Sequence, residues 1–170
     1  GDLTAARACQ EQFAGACSHL QKGGRLHHNV DMVLMAEIAG CVLDGEILYR
    51  EGSYDRAFEK LEEGIRCFDA LPYDEPHGWL MSVRQTLAAL LTEQGQHAKA
   101  VGLYLEDLEL FPQNPWSLAG LVLCYKAIGE TAELADTKEL LSVALCQSDF
   151  KVSASCACAT SHWGGGRGCG

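Results

Sequence analysis

Gly52-Ser53-Tyr54-Asp55-Arg56-Ala57 and Gly95-Gln96-His97-Ala98-Lys99-Ala100 are two copies of one punctuation mark. In each, a glycine closes one amphipathic run and an alanine five residues later lies inside the next. Gly129-Glu130-Thr131-Ala132-Glu133-Leu134 is a looser third copy, with Leu134 in the alanine position. Glycine is the residue that most readily takes the left-handed conformation ending a helix, so each copy predicts a helix, a tight turn and a second helix. Gly95 and Gly129 are 34 residues apart, a period that signals a stacked array of helical hairpins.

Working outward, the apolar spacing predicts seven helices. Leu3, Ala6, Cys9, Phe13 and Cys17 form a stripe over 3–20 that ends at Gly23-Gly24. Asn29 and Asp31 are N-cap residues for a second helix running to Glu51, and a third spans 54–70 with Phe58, Leu61, Ile65 and Phe68 inward. The fourth is expected over 78–94, with Leu80, Val83, Leu87 and Leu90 on its buried side. The fifth covers 96–111, Asn114-Pro115 opens a sixth to 128, and 130–146 is the seventh. Beyond that, Ser153-Ala154-Ser155 and Gly164-Gly165-Gly166 are linker chemistry.

Aligned on the glycine-to-alanine step, Leu87, Ala88, Gly95, Ala100, Tyr104 and Pro112 resemble the signature of the tetratricopeptide repeat. Gly45, Gly52, Tyr54 and Ala57 match it in the first copy, and Leu121, Tyr125 and Gly129 in the third. The wider set, including Leu71-Pro72-Tyr73-Asp74-Glu75-Pro76 and Leu105-Glu106-Asp107-Leu108, is similar to the C-terminal repeats of large uncharacterised bacterial and algal tetratricopeptide proteins. The resemblance implies an all-α, right-handed superhelix of antiparallel helix hairpins, an α-solenoid, that binds a peptide or protein segment in its concave groove. The first glycine interval is 43 residues, which makes Pro72–Trp79 an insertion between hairpins. Gly1-Asp2-Leu3-Thr4-Ala5-Ala6 reads as the same turn again, so 1–28 is a partial repeat, 29–146 three hairpins and 147–170 a flexible tail rich in Cys and Gly. Solenoid ends are normally capped, so a half-unit at the start suggests a piece of a longer array. Leu3, Ala6 and Phe13 would then support self-association through the truncated end.

The formal charge of −10 argues against a nucleic-acid partner, which needs a basic face. No apolar run is long enough for a membrane span. Of nine cysteines, Cys41, Cys67, Cys124 and Cys146 sit within helical patterns and are expected as buried thiols in a reducing, cytoplasmic compartment. There is no Walker-type phosphate loop, nucleophile elbow or H-E-x-x-H pair, so the sequence offers no catalytic machinery and calls for no cofactor.

By the alignment, Glu46, Tyr49, Arg50, Gln85, Glu93, Trp116 and Lys126 are the groove residues that would meet a peptide ligand. Chaperone-binding relatives grip a C-terminal carboxylate with Lys and Asn; here those positions hold Val42, Gln85, Ala119, Glu46, Ala89 and Leu123, so no such clamp is expected. Tyr73, Asp74, Glu75, Trp79 and Arg84 form a second candidate: an elbow in which Arg84 pairs the two acids, or an aromatic anchor for a ligand. A reading of another class places a thiol-rich metal or redox site in the tail, on Cys156, Cys158, His162 and Cys169. The preferred reading assigns no metal.

Overall fold

The computed structural model describes residues 2–149 together with Val152, Ser155 and Cys156. In it Gly52, Gly95 and Gly129 have φ of 81°, 71° and 83°, left-handed backbone that L side chains resist. After each glycine the next amide reaches back five residues: Ser53 N–H to the Leu48 carbonyl (2.9 Å), Gln96 to Leu91 (2.9 Å) and Glu130 to Tyr125 (3.1 Å). This closure satisfies a carbonyl that the helix end would leave unpaired. The three repeated glycines of the sequence are therefore three copies of one turn.

The elements in order are α1 (Leu3–Cys17), β1 (Leu26–His27), β2 (Val30–Asp31), α2 (Met32–Arg50), α3 (Tyr54–Asp69), α4 (Val83–Glu93), α5 (His97–Leu110), α6 (Pro115–Ile128) and α7 (Thr131–Ala144). The fold is an all-α repeat of helical hairpins. It divides into two compact units, Gly1–Val83 and Arg84–Gly170.

In the first unit α2 and α3 form a hairpin and α1 packs on α2. The hairpin closes because Gly45 has no side chain: a Cβ there would stand 2.6 Å from Leu61 Cγ and 3.3 Å from the Ala57 carbonyl. Leu61 and Ala57 are fully buried at that crossing. Asp31, rather than Asn29, caps α2, accepting the Gly23 N–H at 2.6 Å and the Val33 N–H at 2.9 Å. These two backbone bonds, Gly23's first, hold its carboxyl below the usual range. The 26–31 segment pairs as a two-residue antiparallel ladder, Leu26 with Asp31 and His27 with Val30, turning at His28 with φ of 53°.

In the second unit α5 packs on α6 and α6 on α7. Tyr104 of α5 is fully buried against Gly120 of α6, where a Cβ would stand 2.2 Å from the ring. Asn114 caps α6 by accepting the Trp116 N–H at 3.1 Å, and Pro115 takes the first helical position. A carboxylate, Asp107, lies fully buried on the inner stripe of α5. Its Oδ2 accepts from Ser117 Oγ (2.5 Å), Asn114 Nδ2 (2.9 Å) and Gln85 Nε2 (3.4 Å), which ties α4 and the start of α6 to α5.

Three expectations are corrected. The fourth helix begins at Val83, not 78, and Leu80, expected inside it, is 79% exposed. The first helix stops at Cys17, three residues early. Cys41 and Cys124 are buried and Cys67 half-buried, but Cys146, just past α7, is exposed. Burial pushes the Cys41 thiol up to about 11 and raises those of Cys67 and Cys124.

Two substitutions test this packing. Gly120→Ala should destabilise the chain by roughly 1–3 kcal/mol, because the Tyr104 ring has no room to yield. Gly102→Ala, on an exposed turn of α5 with nothing within 4 Å, should stabilise it by up to about 1 kcal/mol. Denaturant melts of both variants read the difference. On α2, burial raises the Glu46 carboxyl above its usual range, an effect that the Arg50 charge only partly offsets. A raised folded-state value means that the unfolded chain ionises first, so stability falls as pH rises from the unfolded glutamate value of about 4.3 through the folded one. Glu46→Gln should therefore raise the melting temperature at pH 7, with the gain fading as the pH drops toward 4.

Candidate functional site

Between α3 and α4 the chain cannot stay helical. Pro72 and Pro76 lack the amide that a helix interior needs, and the Glu75–Pro76 bond is cis. The loop is fastened at two points. The His77 ring stacks on Phe68 of α3 at 4.6 Å and 17°, and its Nδ1 lies 3.1 Å from the Trp79 carbonyl oxygen. Gly78 lies directly on Val30 of β2, where a Cβ would meet Val30 Cγ2 at 2.5 Å. The absence of a side chain at 78 is what lets the loop touch the small ladder.

Between this loop, the 26–31 ladder and the start of α2 lies a cavity of about 460 Å³, within the size range of small-ligand pockets. Met35, Pro76, Trp79 and Met81 supply apolar walls, and His27, His28 and Asp74 a polar edge. His27 and His28 stack at 4.7 Å. The Asp74 side chain is only 7% exposed, lies 3.8 Å from His28 Nδ1, and accepts the Glu75 N–H at 3.1 Å. Of its lining, Leu80 (79% exposed) and Met81 (53%) stand largely in water, as do Leu26 (65%) of the ladder and Tyr73 (78%) of the loop. Chemically this is a seat for an apolar group, with one carboxylate at its edge to receive a donor. Among the described residues no group of three or more His, Cys, Asp or Glu is placed to hold a metal ion.

The expected elbow is wired differently. The Tyr73 hydroxyl donates to Glu75, Asp74 faces His28, and Arg84 Nε donates to Glu106 Oε2 at 3.0 Å. Each acid of the loop thus finds its partner within the first unit, and Arg84 finds Glu106 in the second. Trp79 lines the cavity and Tyr73 stands exposed in the same loop.

The groove residues divide by burial. Tyr49 is only 5% exposed, packed by Tyr54 and Phe58 at ring distances of 5.0 and 6.2 Å, with the Arg50 guanidinium 5.3 Å from its ring centre. Gln85 is 6% exposed and bonded to Asp107. Both side chains serve their own unit's core, which is a correction to the expectation that they face a ligand. Arg50, Trp116 and Lys126 are exposed, and Glu46 and Glu93 half-buried.

Two features escaped the sequence. Asp107 continues the stripe Ala100, Tyr104, Asp107, a carboxylate at an i, i+4, i+7 core position; that mismatch of charge and register was its signal. The other is the return of Ser155 and Cys156 to the second unit, both 4% exposed. Cys156 is disulfide-bonded, so in this state its sulfur is no free thiolate for a metal. Cys158, His162 and Cys169 of the tail site lie outside the described residues.

No helix among the described residues is long and apolar enough to cross a membrane. No family model matches the chain, and no solved structure matches it. It is 29% identical over 107 residues to the photosystem I assembly protein Ycf3 of Cyanophora paradoxa. That similarity covers 63% of this chain and 58% of the relative, less than two thirds of its length. Its hairpins, turned at left-handed glycines, make it an all-α helical repeat, and in sequence it is similar to that assembly protein.

Proposed function

We propose that the chain is a non-enzymatic protein-interaction module and that the cavity of the first unit is its anchor point. The observation that carries this reading is the exposure of Tyr73, Leu80 and Met81 in the loop that forms the cavity. Large apolar side chains held in water by a fastened loop cost free energy, about 25 cal/mol per Å² of apolar surface that a partner would cover. The occupant that fits is a polypeptide segment offering one bulky apolar side chain to Trp79, Met35 and Met81, with a donor for Asp74. The relative's name assigns it to the assembly of a protein complex, and a module that grips apolar segments of an unassembled partner is suited to work of that kind. The setting proposed is a cytoplasmic one.

A second contact is proposed on the second unit, where Trp116 is 41% exposed, on the same helix as Lys126. There the partner segment would run along the helix face, as the groove of a tetratricopeptide array suggests.

The test is affinity capture of partners by the full chain against Leu80→Asp with Met81→Asp. Both residues are exposed, so the fold should be unaffected. The expected result is loss of a specific captured protein, by tenfold or more, in the double variant. Capture of the same proteins in the same amounts would overturn the anchor reading, and Trp116→Ala would then report on the second unit by the same readout.

A further inference from the structure

Every residue of the second unit from Arg84 to Thr92 is buried, including the polar Arg84, Gln85, Thr86 and Thr92. A first helix of a tetratricopeptide-type hairpin ordinarily keeps one face open for ligand, so α4 is unusual in having no open stripe. Part of what covers it is described. The Tyr104 hydroxyl donates to Ser155 Oγ at 2.7 Å, and Thr86 Oγ1 lies 3.7 Å from Cys156 Sγ. Ser155 follows the end of α7, Ala144, by eleven positions, so the chain has turned back onto its own α4 and α5.

We propose that the face of α4 and α5 carrying Thr86 and Tyr104 is a docking surface for an extended segment with small polar side chains, and that Ser155–Cys156 is its resident, displaceable occupant. The inference rests on the protein-binding reading above and gives the second unit a ligand class. Three observations support exchange rather than permanent packing. The side chains of Ser155 and Cys156 are small, so these two bury little apolar surface. The polar contacts described are a hydroxyl–hydroxyl bond and a hydroxyl–sulfur contact, both of which water or another Ser- or Cys-like residue can replace. Ser155 is tethered eleven positions after the end of α7, and tethering gives a local concentration on the order of millimolar, which fills a weak site until a partner outcompetes it. The tail is thereby an internal competitor for the surface that it covers.

The test uses the full chain and Ser155→Trp, whose indole is too large for the space beside Tyr104. The probe is a fluorescent synthetic peptide with the sequence of residues 150–157, its cysteine capped as the S-methyl disulfide, read by anisotropy. Ser155→Trp should bind the peptide about tenfold or more tightly than the unchanged chain, because its own tail no longer competes. Adding Tyr104→Phe, which keeps the ring in the core and removes only the hydroxyl, should weaken that binding about fivefold. Thr86→Val gives the same reading should Tyr104→Phe melt early. Equal binding by both chains, binding by neither, or binding indifferent to both Tyr104→Phe and Thr86→Val would overturn the proposal. None of those outcomes touches the anchor reading, which is judged by Leu80 and Met81 in the other unit.

Discussion

A helix can fold back on itself within four residues only where one residue accepts positive φ and the next amide repairs the broken ladder. Gly52, Gly95 and Gly129 meet that requirement, each with the same five-residue return bond after it. Once the turns are set, the paired helices must come close, and they do so where a side chain is missing. Gly45 admits Leu61, and Gly120 admits the ring of Tyr104. The large residues at these crossings then have nowhere else to go, which is why Leu61 and Tyr104 are fully buried. The hairpins and their cores are consequences of a few positions where a Cβ would not fit.

Those positions were legible because glycine and proline act locally. The ends of α2, α3, α6 and α7 fall within two or three residues of where Gly, Pro and cap residues put them. The loop before α4 was not legible in the same way. Leu80 and Val83 fit a helical stripe, but a stripe says only that two residues share a face if a helix exists, and Pro76 with Gly78 delays that helix to Val83. The two-residue strands at 26–31 are shorter than any alternation that a pattern can register. Tyr49 was misread for a related reason: groove positions inherited from an alignment assume that the neighbouring helix leaves them open, and here Tyr54 and Phe58 close over the ring.

The candidate site was only half visible. The sequence marked Tyr73, Asp74 and Trp79 as unusual, since two prolines bracketing two acids and followed by a tryptophan have no place in a regular repeat unit. It could not mark Val30, Met35 or His28, whose part depends on Gly78 bringing the loop down on the ladder. Sequence distance hides such a site because its walls come from three segments, none of which is distinctive alone. The charge expectation misled in a similar way: Arg84 opens the helix that follows the loop acids in sequence, yet Glu106, one turn in from the end of α5, is its partner.

The two units solve the problem of apolar and polar exposure in opposite ways. In the first, a fastened loop holds Leu80, Met81 and Tyr73 in water, apolar surface that the unit itself leaves uncovered. In the second, the polar side chains of α4 are buried and given partners from the chain itself: Asp107 for Gln85, Glu106 for Arg84, Cys156 for Thr86. The first two lie on α5, which the α4–α5 turn already holds beside α4, whereas Ser155 and Cys156 are brought in by the tail alone. A contact that depends on a tether is held by the local concentration that the tether gives, and the Tyr104–Ser155 hydroxyl bond is held in that way. The first unit thus leaves an apolar seat open, and the second fills part of its polar face with residues of its own chain.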